Sequence, residues 1–194
     1  MSAGVMTFDV ANSSSIRHLS TFQPDVDSPR KNPGLIQHPN ACGLAIRGRL
    51  LFVANDAGGL RVLDMKDRTQ PREIGRYINA AMARKQQAYN NIVIQGDRAY
   101  IAIDYAGLEI VDISNHRNIR QLGWWNPWDA HTLKNLWFNS PGHTNQLKLD
   151  ASRNVTIDIM ERCCARVDPM IISSGVANNE LFVAYRFSME YGAR

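Results

Sequence analysis

An all-β fold of four-stranded antiparallel blades, stacked as in a β-propeller, is what this 194-residue sequence predicts. Three observations carry the prediction. A block of sequence recurs 48 residues further on, each copy holds four short apolar runs rich in branched and aromatic residues, and turn residues stand between the runs.

The block GLRVLDMKDRTQPREIGRY, from Gly59 to Tyr77, returns as GLEIVDISNHRNIRQLGWW, from Gly107 to Trp125. Gly59 falls on Gly107, Val62 on Ile110, Asp64 on Asp112, Ile74 on Leu122 and Gly75 on Gly123. Upstream, LAIRGRLLFVANDAGGL from Leu44 falls on IVIQGDRAYIAIDYAGL from Ile92, setting Phe52 against Tyr100 and Ala54 against Ala102. In the first copy the four runs are A, Leu44 to Ile46; B, Leu51 to Ala54; C, Leu60 to Leu63; and D, Glu73 to Tyr77. Gly48 and Gly96 stand where the A–B hairpins must reverse, because glycine accepts the positive φ of a tight hairpin turn. Gly58-Gly59 and Ala106-Gly107 reverse B into C. Asp64 and Asp112 close strand C, where a carboxylate accepts hydrogen bonds from the backbone of the following turn.

Weaker copies fill the rest of the chain. GVMTFDVANSSSIRHLSTF, from Gly4, reads as a C–D half with Asp9 on Asp64 and Leu19 on Ile74. GVANNELFVAYRF, from Gly175, reads as an A–B half, and the N-terminal C–D half is expected to pair with it to complete one blade. TNQLKLDASRNVTIDIM, from Thr144, reads as a further A–B half with Asn145 on Asn90 and one residue inserted. The expected organisation is one domain over residues 1–194, with a Trp-rich insertion at 125–143 and an irregular blade at 143–170. It amounts to about four blades, some of them incomplete. Either one chain closes a minimal ring, or a second chain or a further segment completes a larger one.

The core of the repeat resembles that of the LVIVD family, in which GL and two hydrophobic residues lead to Asp-x-Ser-x-Pro-x-x-Pro and a strand ending in Gly. Asp64 and Asp112 fall on its Asp, Pro71 on its second Pro, and Gly75 and Gly123 on its closing Gly. Ile119 replaces the second Pro in the second copy, and Arg68 stands where the first would be in the first copy. The resemblance implies a propeller-type binding scaffold and little about activity.

Composition narrows the function classes. The chain is 44% hydrophobic and 21% charged, enough to bury a core. Its N-terminus, MSAGVMTFDVANSSS, carries no secretory pattern and no run is long enough for a membrane helix, so a cytoplasmic protein with no membrane contact is expected. The net charge of +4 comes from scattered Lys and Arg without a basic run, which makes nucleic acid an unlikely partner. Cys42, Cys163 and Cys164 read as reduced thiols, and no CxxC spacing suggests zinc. No cofactor and no metal site is expected, although His38, His143, Asp56, Asp104 and Asp158 are residue types that bind divalent ions. Nucleophile, phosphate-binding and zinc-protease motifs are absent from the sequence.

The candidate functional residues lie where the repeat fails or turns. Trp125, Trp128, His131, Trp137 and Phe138 fall in or beside the insertion, which holds every tryptophan of the chain once Trp124 is counted. His38 and Asn40 precede the first A strand, and Asp56 and Asp104 end the B strands. Large aromatic residues beside polar ones are typical anchors of protein interfaces. The expected function is non-enzymatic protein binding, most specifically by an intracellular immunity-type inhibitor that neutralises a bacterial toxin, with a homo-oligomer that completes the open blades as a further possibility. The alternative is a propeller hydrolase or lyase, which requires His38 and His143 to meet near Asp56 or Asp104.

Overall fold

The computed structural model describes residues 4–24, 43–56, 58–82, 87–104, 106–126, 132, 142–149, 155–161 and 183–187. An N-terminal hairpin pairs β1 (Val5–Asp9) with β2 (Arg17–Phe22). Unit 1 is the antiparallel sheet β3 (Gly43–Arg47), β4 (Leu50–Ala54), β5 (Leu60–Asp64) and β6 (Arg72–Tyr77), in that order. A 3-10 turn at Ala80–Met82 leads to unit 2, with β7 (Ala88–Gln95), β8 (Arg98–Asp104), β9 (Gly107–Asp112) and β10 (Arg120–Trp125). A third sheet holds β11 (Gly142–Leu149), β12 (Val155–Glu161) and β13 (Val183–Phe187). The two repeats are therefore two four-stranded meanders, whose strands fall on runs A to D.

Local chemistry explains the strand ends. Gly48 and Gly96 have φ of 61° and 58° and are the first of two loop residues between the Arg47↔Leu50 and Gln95↔Arg98 pairs. That is the hairpin turn whose first position demands a positive φ. At the C–D reversals, Asp9, Asp64 and Asp112 each accept the N–H two residues on, from Ala11, Lys66 and Ser114. Asn12, Asp67 and Asn115 repeat the device three residues later, accepting from Ser14, Thr69 and Arg117. The D strands bulge at one place, since Leu19, Ile74 and Leu122 are the extra residues that the registers skip. The N-terminal hairpin is thus a true copy of the C–D half. In the A strands Asn90 and Asn145 are the bulged residues, so the bulge recurs in the third copy.

The sheets stack face to face. Val5 of the hairpin meets Leu51, Val53 and Leu63 of unit 1, with Phe22 and Met65 at the rim. Phe52, Leu60 and Val62 on the opposite face of unit 1 join Tyr89, Ile92, Ile101 and Ile103 of unit 2 in the largest core cluster. Tyr100 and Leu108 then meet Leu147 of β11. Strands buried on both faces need consecutive apolar residues, and this is why β4 reads LLFVA and β8 carries YIAI where a one-sided strand would alternate. Polar contacts fix the stacking. Arg47 on β3 donates to the Gly96 and Ile113 carbonyls at 3.0 and 2.9 Å and to the Asp97 carboxylate at 2.8 Å, clamping the A–B turn of unit 2. Ser20 on β2 donates to the Arg68 carbonyl at 2.7 Å in the C–D turn of unit 1. Gly75 holds the same place one unit along, and a Cβ there would lie 1.9 Å from the His116 carbonyl oxygen.

One expectation is overturned. The C-terminal strand does not complete the N-terminal hairpin; β13 lies parallel to β12, from Ile157↔Val183 to Glu161↔Phe187. β12 ends an A–B half with no described C strand after it, so its outer edge offers unpaired backbone groups that an extended segment can satisfy. Residues 175–182 lie outside the described residues. Among the described residues, β1 pairs only with β2.

Candidate binding surfaces of the sheet array

In unit 1, β4 turns into β5 at the same end where β6 leaves for β7, so Asn55, Asp56, Asn79, Gln87 and Tyr89 gather there. Asp56 has φ of 38°, a left-handed conformation that Asp adopts more readily than most residues. Its N–H donates to the Tyr89 carbonyl at 3.2 Å, and the Tyr89 N–H donates back at 3.1 Å. This bridge joins the B–C reversal of unit 1 to strand A of unit 2. Asp104 ends β8 opposite Ala88 and is half-buried.

Behind that end lies a polar seam. Arg61 and Glu109 occupy the same repeat position, and both are fully buried. Arg61 donates to both Glu73 carboxylate oxygens at 3.1 and 2.9 Å and to the Gly58 carbonyl at 3.0 Å. Glu109 instead accepts from Tyr77 of unit 1 and from Gln121 of its own unit, each at 2.5 Å. Burial pushes the Glu109 carboxyl up to about 7 against the opposing pull of hydrogen bonds from Tyr77, Gln121 and Tyr89. Tyr77 and Tyr89 are both held protonated above the ordinary phenol range, first by burial and then by the Glu109 charge. The Tyr89 hydroxyl accepts the Asn79 N–H at 2.9 Å. A carboxyl near neutrality suits a general acid or base. Glu109, however, is wholly buried beside two tyrosines and a glutamine, so it serves the contact between units. Neither amide atom of Asn55 has a hydrogen-bond partner among the described residues, nor do Asn79 Nδ2, Gln87 Oε1 and Thr144 Oγ1. Buried groups of this kind are ordinarily satisfied by ordered water.

A second surface is apolar. Leu44 and Ile46 on β3 are 55% and 75% exposed, and Met6 and Phe8 on β1 are 61% and 47% exposed. Val10 and Ile16, in the reversal between β1 and β2, are exposed as well. In unit 2 the counterparts of Leu44 and Ile46 are Ile92, only 5% exposed, and Ile94, which packs against the main cluster. The difference is a neighbour: β3 covers the Ile92 and Ile94 face of β7, whereas no described strand covers the Leu44 and Ile46 face of β3.

Of the residues expected to bind, Asp56 and Asp104 stand at the B-strand ends, and Trp125 is half-buried against the Tyr100, Ala102, Leu108 and Leu147 cluster. Trp125 follows Phe22 and Tyr77 at the same repeat position, where each aromatic ring reaches towards the next sheet. His38, Asn40, Trp128, His131, Trp137 and Phe138 lie outside the described residues, as does the side chain of His143. The structure also singles out Arg61, Glu109, Leu44 and Ile46, which sequence reasoning passed over. The charged pair had a visible signal, the opposite charges that break two otherwise apolar C strands at one position. Among the described residues, no group of three His, Cys, Asp or Glu side chains could hold a metal ion, and no helix is long and apolar enough to cross a membrane.

Comparison with known proteins supports the repeat and adds nothing about a partner. No curated protein matches the chain. The family model of the LVIVD repeat matches residues 39–79, which take in all four strands of unit 1, and 88–119, which take in β7 to β9 of unit 2 and the turn before β10. These two matches to the LVIVD repeat are consistent with an LVIVD-repeat family.

Proposed function

We infer that this chain is a non-enzymatic protein-binding module of propeller type. The observation that carries the reading is the concentration of exposed large apolar side chains, Met6, Phe8, Val10, Ile16, Leu44 and Ile46, at the N-terminal end of the sheet stack. An apolar surface of this kind on an otherwise well-packed array marks an interaction site. The polar seam at the B–C end is sealed from substrate at Glu109, which favours binding over catalysis.

The test is affinity capture from the native host with the intact chain and with its Ile46→Lys variant. One stoichiometric protein, retained by the wild type and lost by the variant, is the expected result. Recovery of no partner by either chain would count against the reading. Its narrowest form is an immunity-type inhibitor that covers a bacterial toxin inside the cell. A captured partner that arrests growth when expressed alone, and no longer does so when this chain is co-expressed, supports that form; a harmless partner removes it.

A further inference from the structure

Resting on the protein-binding reading, we propose that the end of the stack formed by the A–B and C–D turns is a docking surface for an acidic protein segment that also carries aliphatic side chains.

Charges that lie scattered along the sequence are sorted by the fold. The C–D turn of the hairpin and the A–B and C–D turns of units 1 and 2 face one end. There the guanidinium groups of Arg17, Arg47, Arg49 and Arg120 are matched by Asp9, Asp97, Asp64 and Asp112 in turn. Asp67, the remaining carboxylate of these turns, accepts from the Thr69 N–H and hydroxyl. Lys66, Arg68, Arg72, Arg98 and Arg117 are left over, all exposed and none in an ion pair among the described residues. Over the rest of the described residues the balance is reversed, with carboxylates outnumbering Lys and Arg.

These turns form one surface. Ser20 of the hairpin donates to the Arg68 carbonyl, Arg68 adds to the stronger pull of Arg17 that holds the Asp9 carboxyl low, and Arg47 clamps the A–B turn of unit 2. The surface also lies away from the joins between sheets. β2, β6 and β10 all end at the B–C end, and β3, β7 and β11 begin there. Successive sheets are therefore joined at the far end, and the turn end of the hairpin and units 1 and 2 is made of tight turns alone.

The partner's chemistry follows from what these turns expose. Unmatched cations attract a negative partner and speed its approach. Val10 and Ile16, each 64% exposed, stand in the hairpin turn beside Arg17, and the exposed Ile46 adjoins Arg47. A nucleic-acid backbone or an anionic bilayer presents its charge uniformly and would press it against Asp9, Asp67 and Asp97 as well as against the cations. The turns also hold no Phe, Tyr or Trp on which bases could stack. A protein segment can set carboxylates against Lys66, Arg68 and Arg117, place aliphatic side chains over Val10 and Ile16, and leave the aspartates unopposed.

The probe is a fluorescein-labelled peptide of Asp and Glu interrupted by leucines, titrated onto the intact chain by fluorescence anisotropy. Saturable binding is expected, weakening as salt rises from about 0.01 to about 0.15 M and the Debye length falls from about 30 to about 8 Å. Lys66→Gln combined with Arg68→Gln should lower the affinity about fivefold or more. Ala80→Glu combined with Ala81→Glu, which changes the net charge equally at the B–C end, should leave it unchanged. All four residues are exposed, so both variants should keep the wild-type circular dichroism and thermal midpoint. No saturable binding, or an equal loss in the two variants, overturns the proposal. Tighter binding of duplex DNA or of vesicles containing phosphatidylserine also overturns it, because the surface would then serve phosphate groups. Capture from the native host separates the proposal from the reading beneath it. A partner lost with Ile46→Lys but retained by the Lys66→Gln and Arg68→Gln variant removes the acidic docking surface and leaves protein binding standing, whereas capture of nothing removes both.

Discussion

Glu109 shows how one residue sets the response of the molecule to pH. Its carboxyl has an ordinary value of 4.5 and is raised to about 7 in the fold, so the unfolded chain gives up the proton first as pH rises. The stability it contributes is complete below pH 4.5, falls through the interval up to 7 and is gone above it. A shift of that size corresponds to about 3 kcal/mol at full ionisation. The turn aspartates act in the opposite sense. Asp112 is drawn down to about 2 by hydrogen bonds from the Ser114 side chain and backbone and from Arg120, and Asp9 and Asp67 are lowered by Arg17 and Thr69. Their contribution is present above their ordinary value of 3.8 and is lost as pH falls below it. The thermal midpoint should therefore peak at about pH 4–5 and decline towards pH 8. Glu109→Gln, which keeps an acceptor for Tyr77, should abolish the alkaline decline and leave the acid one. Equal slopes in the two proteins between pH 5 and 8 would remove Glu109 as the cause.

At the scale of the element, the C–D hairpin is the part the sequence states most clearly. Asp64 and Asp112 marked the turns, and each run fell within about two residues of its strand, because the turns are fixed by local hydrogen bonding; Gly75 and Gly123, expected to close the D strands, lie inside them. What the sequence left unsaid depends on neighbouring sheets. Arg61 and Glu109 look alike as charges in an apolar strand, and only the stacked sheet shows that one meets Glu73 while the other receives Tyr77. The place of β13 was illegible for a similar reason, since any apolar strand can satisfy an open edge. Gly75 and Gly123 give a test that local reading could not supply. Gly75→Ala would drive a Cβ into the His116 carbonyl, whereas Gly123, which meets nothing within 4 Å among the described residues, has room. Urea unfolding should show a loss of about 1–3 kcal/mol for Gly75→Ala. For Gly123→Ala the change should stay within about 0.5 kcal/mol. Equal effects would contradict the stacking of unit 1 on the C–D turn of unit 2.

Across the whole molecule, stability is expected to be graded along the stack. Units 1 and 2 share the largest core cluster, and each has a second sheet on its other face, while the hairpin β1–β2 is covered on one face only. Amide exchange should be slowest in β4, β5, β8 and β9 and orders of magnitude faster in β1 and β2. Uniform protection across the hairpin and the two units would mean that the stack opens as one body.

The exchange of Arg61 for Glu109 has a consequence for how such a chain can grow. If unit 1 were duplicated in place, the second copy would set a guanidinium where the Tyr77 hydroxyl now finds a carboxylate, and that phenol would lose its acceptor. A duplication of unit 2 would place a second carboxyl beneath Trp125, which carries no hydroxyl to offer. The two units are therefore addressed to their positions. An array lengthened by copying either one must change the residue at this site before the new copy can settle against its neighbour.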